Sequence, residues 1–240
     1  IMYESKVIGI EKTGKGYVVE VEHDGKTQKI ETDKVLTAVG RIPNSDTVGL
    51  DKTDVKVNDQ GFIITDEEGK TNVPGIYAIG DVTTGPMLAH KASREAHVVA
   101  EVIANHKSAF DNRAIPAVVF TDPEIAWTGI TEREAKEQDI KVNIGRFPLA
   151  ALGRAQTIGR TDGMVKIISD PETGLVLGVG MVGPQASELI AEGTLAIEMG
   201  ATLEDLIVTI HPHPTLSESI MEAAEVAAGE AIHIISPRKK

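Results

Sequence analysis

The sequence predicts a mixed chain, α/β in its first half and α+β in its second, and three observations carry that expectation. Short β-type runs separated by turn residues fill Ile1 to Gly40. A helix-periodic segment follows Gly85-Pro86, just after an apolar run that ends in Gly80-Asp81. Beyond residue 113, further strand-like runs alternate with capped, helix-periodic stretches. The period of the apolar residues, two in strands and 3.6 in helices, separates the two kinds of segment.

In the first stretch, Val7-Ile10, Gly16-Val21 and Gln28-Glu31 read as strands of a meander, with Gly14-Lys15-Gly16 and Asp24-Gly25 as turns. Asp-Gly between alternating runs is a strong hairpin signal, because both central residues of that turn need a positive φ. Val35-Val39 reads as a buried strand ending at Gly40-Arg41-Ile42-Pro43-Asn44, where a glycine lets a ligand approach the backbone. Residues 45–70 are polar, with Val55-Val57 and Gly61-Ile64 as short strands. Ile76-Ile79 is a short apolar strand that places Asp81 at its carboxyl end, where a carboxylate can accept hydrogen bonds from sugar hydroxyls; an ordinary turn aspartate fits equally well. The helix after Pro86 carries Ala92, Ala96, Val99 and Ile103 on one face, with His90 partly buried at its start. Its amino end offers free amides and partial positive charge.

Asn105 to Arg113 is polar and reads as a domain boundary. Ala117-Phe120, Ile125-Trp127, Val142-Phe147, Met164-Ser169 and Leu175-Met181 follow as strands, with Trp127 in the core. Thr131-x-x-Glu134 caps a helix to about Gln138; Gln185-Met199 is a second, stopped by Gly200, and Leu203-Val208 a third. Gly178-x-Gly-x-x-Gly183 matches a dinucleotide fingerprint, but no second strand with an acid follows about 20 residues on. Its glycines read instead as close helix-on-sheet packing. Ser219-Ala228 is a last helix with Ile220, Ala223, Ala224 and Ala227 on one face, and Ile232-Ile235 a terminal strand or contact.

Composition excludes several functions. The 240 residues, 41% hydrophobic, suffice for one large or two small domains. A net charge of −12 leaves no basic stripe for nucleic acid, the sole basic cluster being Arg238-Lys239-Lys240. The absence of cysteine removes disulfides, thiolate zinc sites and thiol nucleophiles from this chain. No apolar run nears the roughly 18 residues of a membrane helix and no signal peptide opens the chain, so a cytoplasmic protein is expected.

The most chemical stretch is His211-Pro212-His213-Pro214-Thr215-Leu216-Ser217-Glu218. A carboxylate within reach of an imidazole can fix its tautomer and stabilise its charged form, which makes an acid–base pair. Thr215 and Glu218 also spell a capping box, and the two roles can coexist. A His-x-His half-site for a metal is disfavoured, since His23, His90, His97, His106 and His233 show no ligand spacing. A hydrolase is disfavoured too, because no Gly-x-Ser-x-Gly element is present.

Val-Gly-Arg-Ile-Pro-Asn at 39–44, Thr-x5-Tyr-Ala-Ile-Gly-Asp at 71–81, Gly-Pro-Met-Leu-Ala-His-Lys-Ala at 85–92 and His-Pro-His-Pro-Thr-Leu-Ser-Glu at 211–218 occur in this order. Together they resemble the carboxyl-terminal half of the flavin-dependent disulfide reductases, most closely the dihydrolipoamide dehydrogenases. The resemblance implies remnants of two cofactor domains followed by an α+β dimerisation domain with an antiparallel sheet. Residues 1–45 would end an NAD-binding domain, 46–112 would be the carboxyl-terminal part of an FAD-binding domain, and 113–240 would form the dimer. Gly40 and, less securely, Val7 would contact NAD. Asp81 would hold the ribityl chain of FAD, with Met87, Leu88, Ala89 and His90 running past the flavin. His213 would be the base that takes a proton from a dihydrolipoamide thiol, oriented by Glu218, with a cis bond at His213-Pro214. In this family the pair completes the partner subunit's active site, so a homodimer is implied, serving lipoyl domains and the core of a 2-oxo acid dehydrogenase complex.

Relatives with paired terminal cysteines differ from this chain, which closes on Ser236-Pro237-Arg238-Lys239-Lys240. The family's FAD fingerprint and redox-active cysteine pair are absent. A fragment of a longer enzyme, inactive alone, is therefore expected; the alternatives are a non-catalytic dimerisation module or the equivalent part of another flavin disulfide reductase.

Overall fold

The structure is a computed structural model that describes residues 1–235. The basic cluster Arg238-Lys239-Lys240 lies outside them. Ile1–Pro43 forms one compact unit, and the chain from Asn44 onward another.

The first unit is the expected meander. Strands β1 (Ser5–Thr13), β2 (Gly16–His23) and β3 (Lys26–Thr32) pair antiparallel in the order β1-β2-β3. Asp24 and Gly25 turn the second hairpin at φ +50 and +68, the left-handed pair that a two-residue loop demands. Val35-Val39 departs from the expectation of a buried strand. The segment is non-regular, and Leu36 is 90% exposed. Its apolar composition suits a sheet interior, but β3 pairs with β2 alone, so among the described residues no strand takes its backbone groups.

The second unit begins with loops rather than short strands. Val57, Ile63 and Thr83 meet through isolated bridges, and Tyr77 through another with Lys70, so 55–57, 61–64 and 76–79 are each too short of partners to become strands. Gly80–Val82 is a 3-10 turn, and Gly80 adopts φ +78 there. Helix α1 (Ala89–Ile103) follows, N-capped by Leu88 without a side-chain bond. Its covered stripe holds Lys91 and Val98, and Ile103 is exposed. The buried face is thus set by a charged residue and lies to one side of the apolar line read from the sequence.

An antiparallel sheet of order β4-β5-β8-β7-β6 dominates the remainder, built from β4 (Ala117–Val119), β5 (Glu124–Gly129), β6 (Asn143–Pro148), β7 (Met164–Ser169) and β8 (Val176–Gly183). Helix α2 (Glu132–Glu137) carries the expected capping box, with the Thr131 hydroxyl accepting from the Glu134 amide. Helix α3 (Gly153–Thr157) lies between β6 and β7 in the chain. On one sheet face, α4 (Ala186–Met199) packs over β5 and β8, and α6 (Glu218–Ala228) over β6 and β7, with α5 (Leu203–Val208) beside α6. Phe147, Ile167, Val179, Ile220, Ala223 and Ala224 fill the space between. Each large apolar side chain buried there contributes roughly 1.5–3 kcal/mol.

Period-two alternation divides β5 between the faces. Ala126 and Thr128 are buried under α4, whereas Ile125 and Trp127 point to the uncovered face. Trp127 is 39% exposed and is not a core residue. The Gly178-x-Gly-x-x-Gly183 glycines do not carry the helix packing expected of them. A Cβ on Gly178 would lie 2.1 Å from the Ile130 carbonyl oxygen, and one on Gly183 2.4 Å from Leu149 Cδ1, so they admit neighbouring loops. Helix-on-sheet closeness comes from Gly193 against Val179 and from Gly145 on β6 against α6. Ile232-Ile235 forms no strand; Ile232 and Ile235 are exposed, and only Ile234 touches the core. No helix among the described residues is long and apolar enough to cross a membrane.

Candidate active site

The segment between α5 and α6 is fixed at both ends before it presents a histidine. Thr209 donates its hydroxyl to the Asp205 carbonyl at 2.7 Å, ending α5. The His211 ring is almost wholly enclosed, with Nδ1 2.9 Å from the Thr209 carbonyl oxygen and Nε2 2.7 Å from Glu192 Oε1. Both ring nitrogens face acceptors, which leaves His211 nothing to offer a substrate. The peptide bond between His213 and Pro214 is cis.

His213 Nδ1 lies 2.8 Å from Glu218 Oε1. An ionised carboxylate only accepts, so Nδ1 carries the proton and Nε2 keeps its lone pair. The His213 side chain is 77% exposed while that of Glu218 is 15% exposed. Burial pushes the Glu218 carboxyl up, but the Thr215 amide, the His213 hydrogen bond and the charges of His213 and His211 outweigh it and hold the group below the usual carboxylate range. A sheltered anion thus backs an open imidazole, an arrangement that can accept a proton at Nε2 and stabilise the cation formed.

Half of the expected capping box is present. Glu218 Oε2 accepts from the Thr215 amide at 2.7 Å. The Thr215 hydroxyl donates instead to the Pro212 carbonyl, and Ser217 holds the N-cap position. Glu218 therefore serves the loop backbone and the imidazole at once.

A second group of residues surrounds Gly80-Asp81. Asp81 is exposed on its 3-10 turn, Met87 and Leu88 are half-buried, and Ala89 and His90 are exposed at the first turn of α1. His90, expected to be partly buried, places Nε2 2.7 Å from the Pro116 carbonyl oxygen. A surface carboxylate beside a helix start whose N-cap residue, Leu88, supplies no side-chain acceptor suits a ligand with sugar hydroxyls and an electron-rich ring edge. Beneath the turn, buried Lys91 and partly buried Glu95 form an ion pair at 2.9 Å, which sequence reasoning passed over. An i,i+4 pair of opposite charges is visible in a sequence, but its burial is not.

Gly40 and Val7 lie in the first unit. Gly40 adopts φ +113 with no atom within 4 Å of a Cβ position, and Val7 stands half-exposed on β1 opposite Val21. At Gly40 it is the backbone angle, not crowding, that selects glycine.

Comparison with known proteins joins these observations. A family model described as the pyridine nucleotide-disulphide oxidoreductase dimerisation domain matches residues 115–224, and one described as pyridine nucleotide-disulphide oxidoreductase matches residues 1–96. The chain is homologous to the pyridine nucleotide-disulphide oxidoreductases. It is 54% identical to a dihydrolipoyl dehydrogenase of Halobacterium salinarum over 91% of this chain and 46% of that protein. Identity to the dihydrolipoyl dehydrogenase of Thermus scotoductus is 50%, over 97% of this chain and 50% of the relative. Among solved structures, LpdA from Mycobacterium tuberculosis superposes with a TM-score of 0.83 at 30% identity, covering 92% of this chain and 48% of that one. The HOCl-induced flavoprotein disulfide reductase RclA from Escherichia coli does so with 0.78 at 26%, covering 90% and 49%. The chain spans about half the length of the curated relatives it matches. The mixed α/β architecture and the antiparallel sheet of residues 117–183 are consistent with the domains that these two family models describe.

Proposed function

We propose that this chain is the carboxyl-terminal half of a cytoplasmic dihydrolipoamide dehydrogenase, which oxidises protein-bound dihydrolipoamide and reduces NAD. The His213–Glu218 contact is the observation that carries the reading. His213 Nε2 takes the proton of a dihydrolipoamide thiol, and Glu218 holds the ring in the accepting tautomer and stabilises its positive charge. His211 positions the loop through Glu192 and Thr209.

FAD, when bound, supplies the two-electron relay between the thiols and NAD. Asp81 would accept a hydrogen bond from its ribityl chain, and Met87, Leu88, Ala89 and His90 would present the helix start to the flavin ring. Gly40 and Val7 would contact NAD. Having no cysteine, the chain carries no redox disulfide, and alone it catalyses no turnover. Residues 113–240 form a homodimer through the apolar sheet face of Ile125 and Trp127, which no element of the chain covers among the described residues. The dimer delivers each dyad to the partner's disulfide and serves lipoyl domains of a 2-oxo acid dehydrogenase complex.

The test is His213→Gln in the full-length holoenzyme. Dihydrolipoamide-dependent NAD reduction falls by about a hundredfold or more, the usual scale for loss of a general base. A loss below about threefold, well under that scale, overturns the assignment.

A further inference from the structure

Gly80, immediately before Asp81, has both of its backbone polar groups bound by two side chains of α1. Its amide donates to Glu95 Oε2 at 2.7 Å, and its carbonyl accepts from Lys91 Nζ at 3.3 Å. Thr83 closes the knot: its hydroxyl donates to the same carbonyl at 2.8 Å and accepts from Lys91 Nζ at 2.9 Å. With Glu95 Oε1 at 2.9 Å, all three ammonium protons of Lys91 are used. Gly80 itself sits at φ +78 with its Cβ position 3.3 Å from Ala92, and Gly85 passes with its Cβ position 3.2 Å from Lys91 Cε. The chain is thereby clasped on both sides of the ion pair.

A buried pair of this kind is a poor stabiliser, since apolar residues of similar volume serve stability as well or better. What it does supply is direction, because two charged groups one helical turn apart bind the amide and the carbonyl of a single residue, Gly80, and so fix the two peptide units on either side of it. We propose that Lys91 and Glu95 are positioning residues, a clamp that holds the Asp81 carboxylate at a fixed place relative to the first turn of α1, so that both meet FAD together. The inference rests on the reading above that Asp81 binds FAD.

The experiment measures FAD affinity of the full-length apoenzyme by flavin fluorescence, alongside its denaturation midpoint without flavin. The variants are Asp81→Asn, Lys91→Met with Glu95→Leu, and the triple combination. The apolar pair avoids leaving a lone buried charge, so the apoenzyme midpoint stays near that of the wild type while the FAD dissociation constant rises at least tenfold. Should that double variant not fold, Lys91→Met with Glu95→Gln gives the same readout, because it leaves no buried charge and keeps an acceptor for the Gly80 amide while removing the ammonium that binds the Gly80 carbonyl. A clamp that acts only through Asp81 adds little to the loss already caused by Asp81→Asn, so the triple variant binds FAD about as weakly as Asp81→Asn alone. Fully additive losses, or unchanged affinity in the clamp variants while Asp81→Asn weakens binding, overturn the clamp. Unchanged affinity in Asp81→Asn overturns the FAD reading of the site itself.

Discussion

Replacing Glu218 by glutamine separates the two jobs of that side chain. The amide oxygen of glutamine can still accept from the Thr215 amide, so the start of α6 keeps its anchor. The charge facing His213 Nδ1 is lost. A hydrogen bond to a charged group contributes roughly 1.5–3 kcal/mol, and the 77% exposure of His213 lets solvent screen it, so the lower part of that range, about 1.5–2 kcal/mol, applies. At 1.36 kcal/mol per decade that is about a 10- to 30-fold loss in kcat/KM. The amide nitrogen of glutamine, turned toward Nδ1, also favours the tautomer with the proton on Nε2, which cannot accept a substrate proton, so tenfold is a floor. Steady-state NAD reduction by dihydrolipoamide in the full-length enzyme reads the effect, with the thermal midpoint as control. A kcat/KM within about twofold of wild type, too small for a charged hydrogen bond, refutes the dyad.

The same carboxyl predicts a pH dependence of stability. Its pKa is lowered on folding, so its contribution is present above the unfolded value of about 4.3 and is lost as pH falls through the folded value. Urea titrations of wild type and Glu218→Gln should therefore converge in the acid range; a gap that stays constant to low pH contradicts the linkage. Trp127→Asp, on the uncovered sheet face, should convert the full-length dimer to folded monomers in sedimentation velocity, and an unchanged dimer would remove this face from the interface.

Legibility in the sequence tracked the range of the interactions. Asp24-Gly25, the Thr131–Glu134 capping box and the α6 stripe of Ile220, Ala223, Ala224 and Ala227 depend on neighbours within a few residues, and each lies where periodicity puts it. Val35-Val39 and Trp127 were misjudged because an apolar residue reports that it needs a cover, not whether this chain provides one. The His213–Glu218 contact was legible through spacing, since the two lie five positions apart across the loop that leads into α6. Glu192 and the Lys91–Glu95 knot were not. Their partners, His211 and Gly80, are brought in by α4 and α1 from well outside any local window.

Gly145 contributes no side chain, yet it governs how α6 lies. A Cβ there would stand 2.1 Å from the Ala223 carbonyl oxygen and 2.6 Å from the Ala227 nitrogen, so the helix rests directly on the β6 backbone. Glu218 is the first residue of that helix, about 7.5 Å along its axis from Ala223 at 1.5 Å per residue. The crossing is a fulcrum. Any methyl placed at it tilts the helix, and the carboxylate at the far end swings away from an imidazole that it meets at 2.8 Å. With His213 as the proposed base, its proton transfer would inherit its tolerance from the spacing of two backbones further along the same helix, and activity would be forfeited at a residue that touches no reactant.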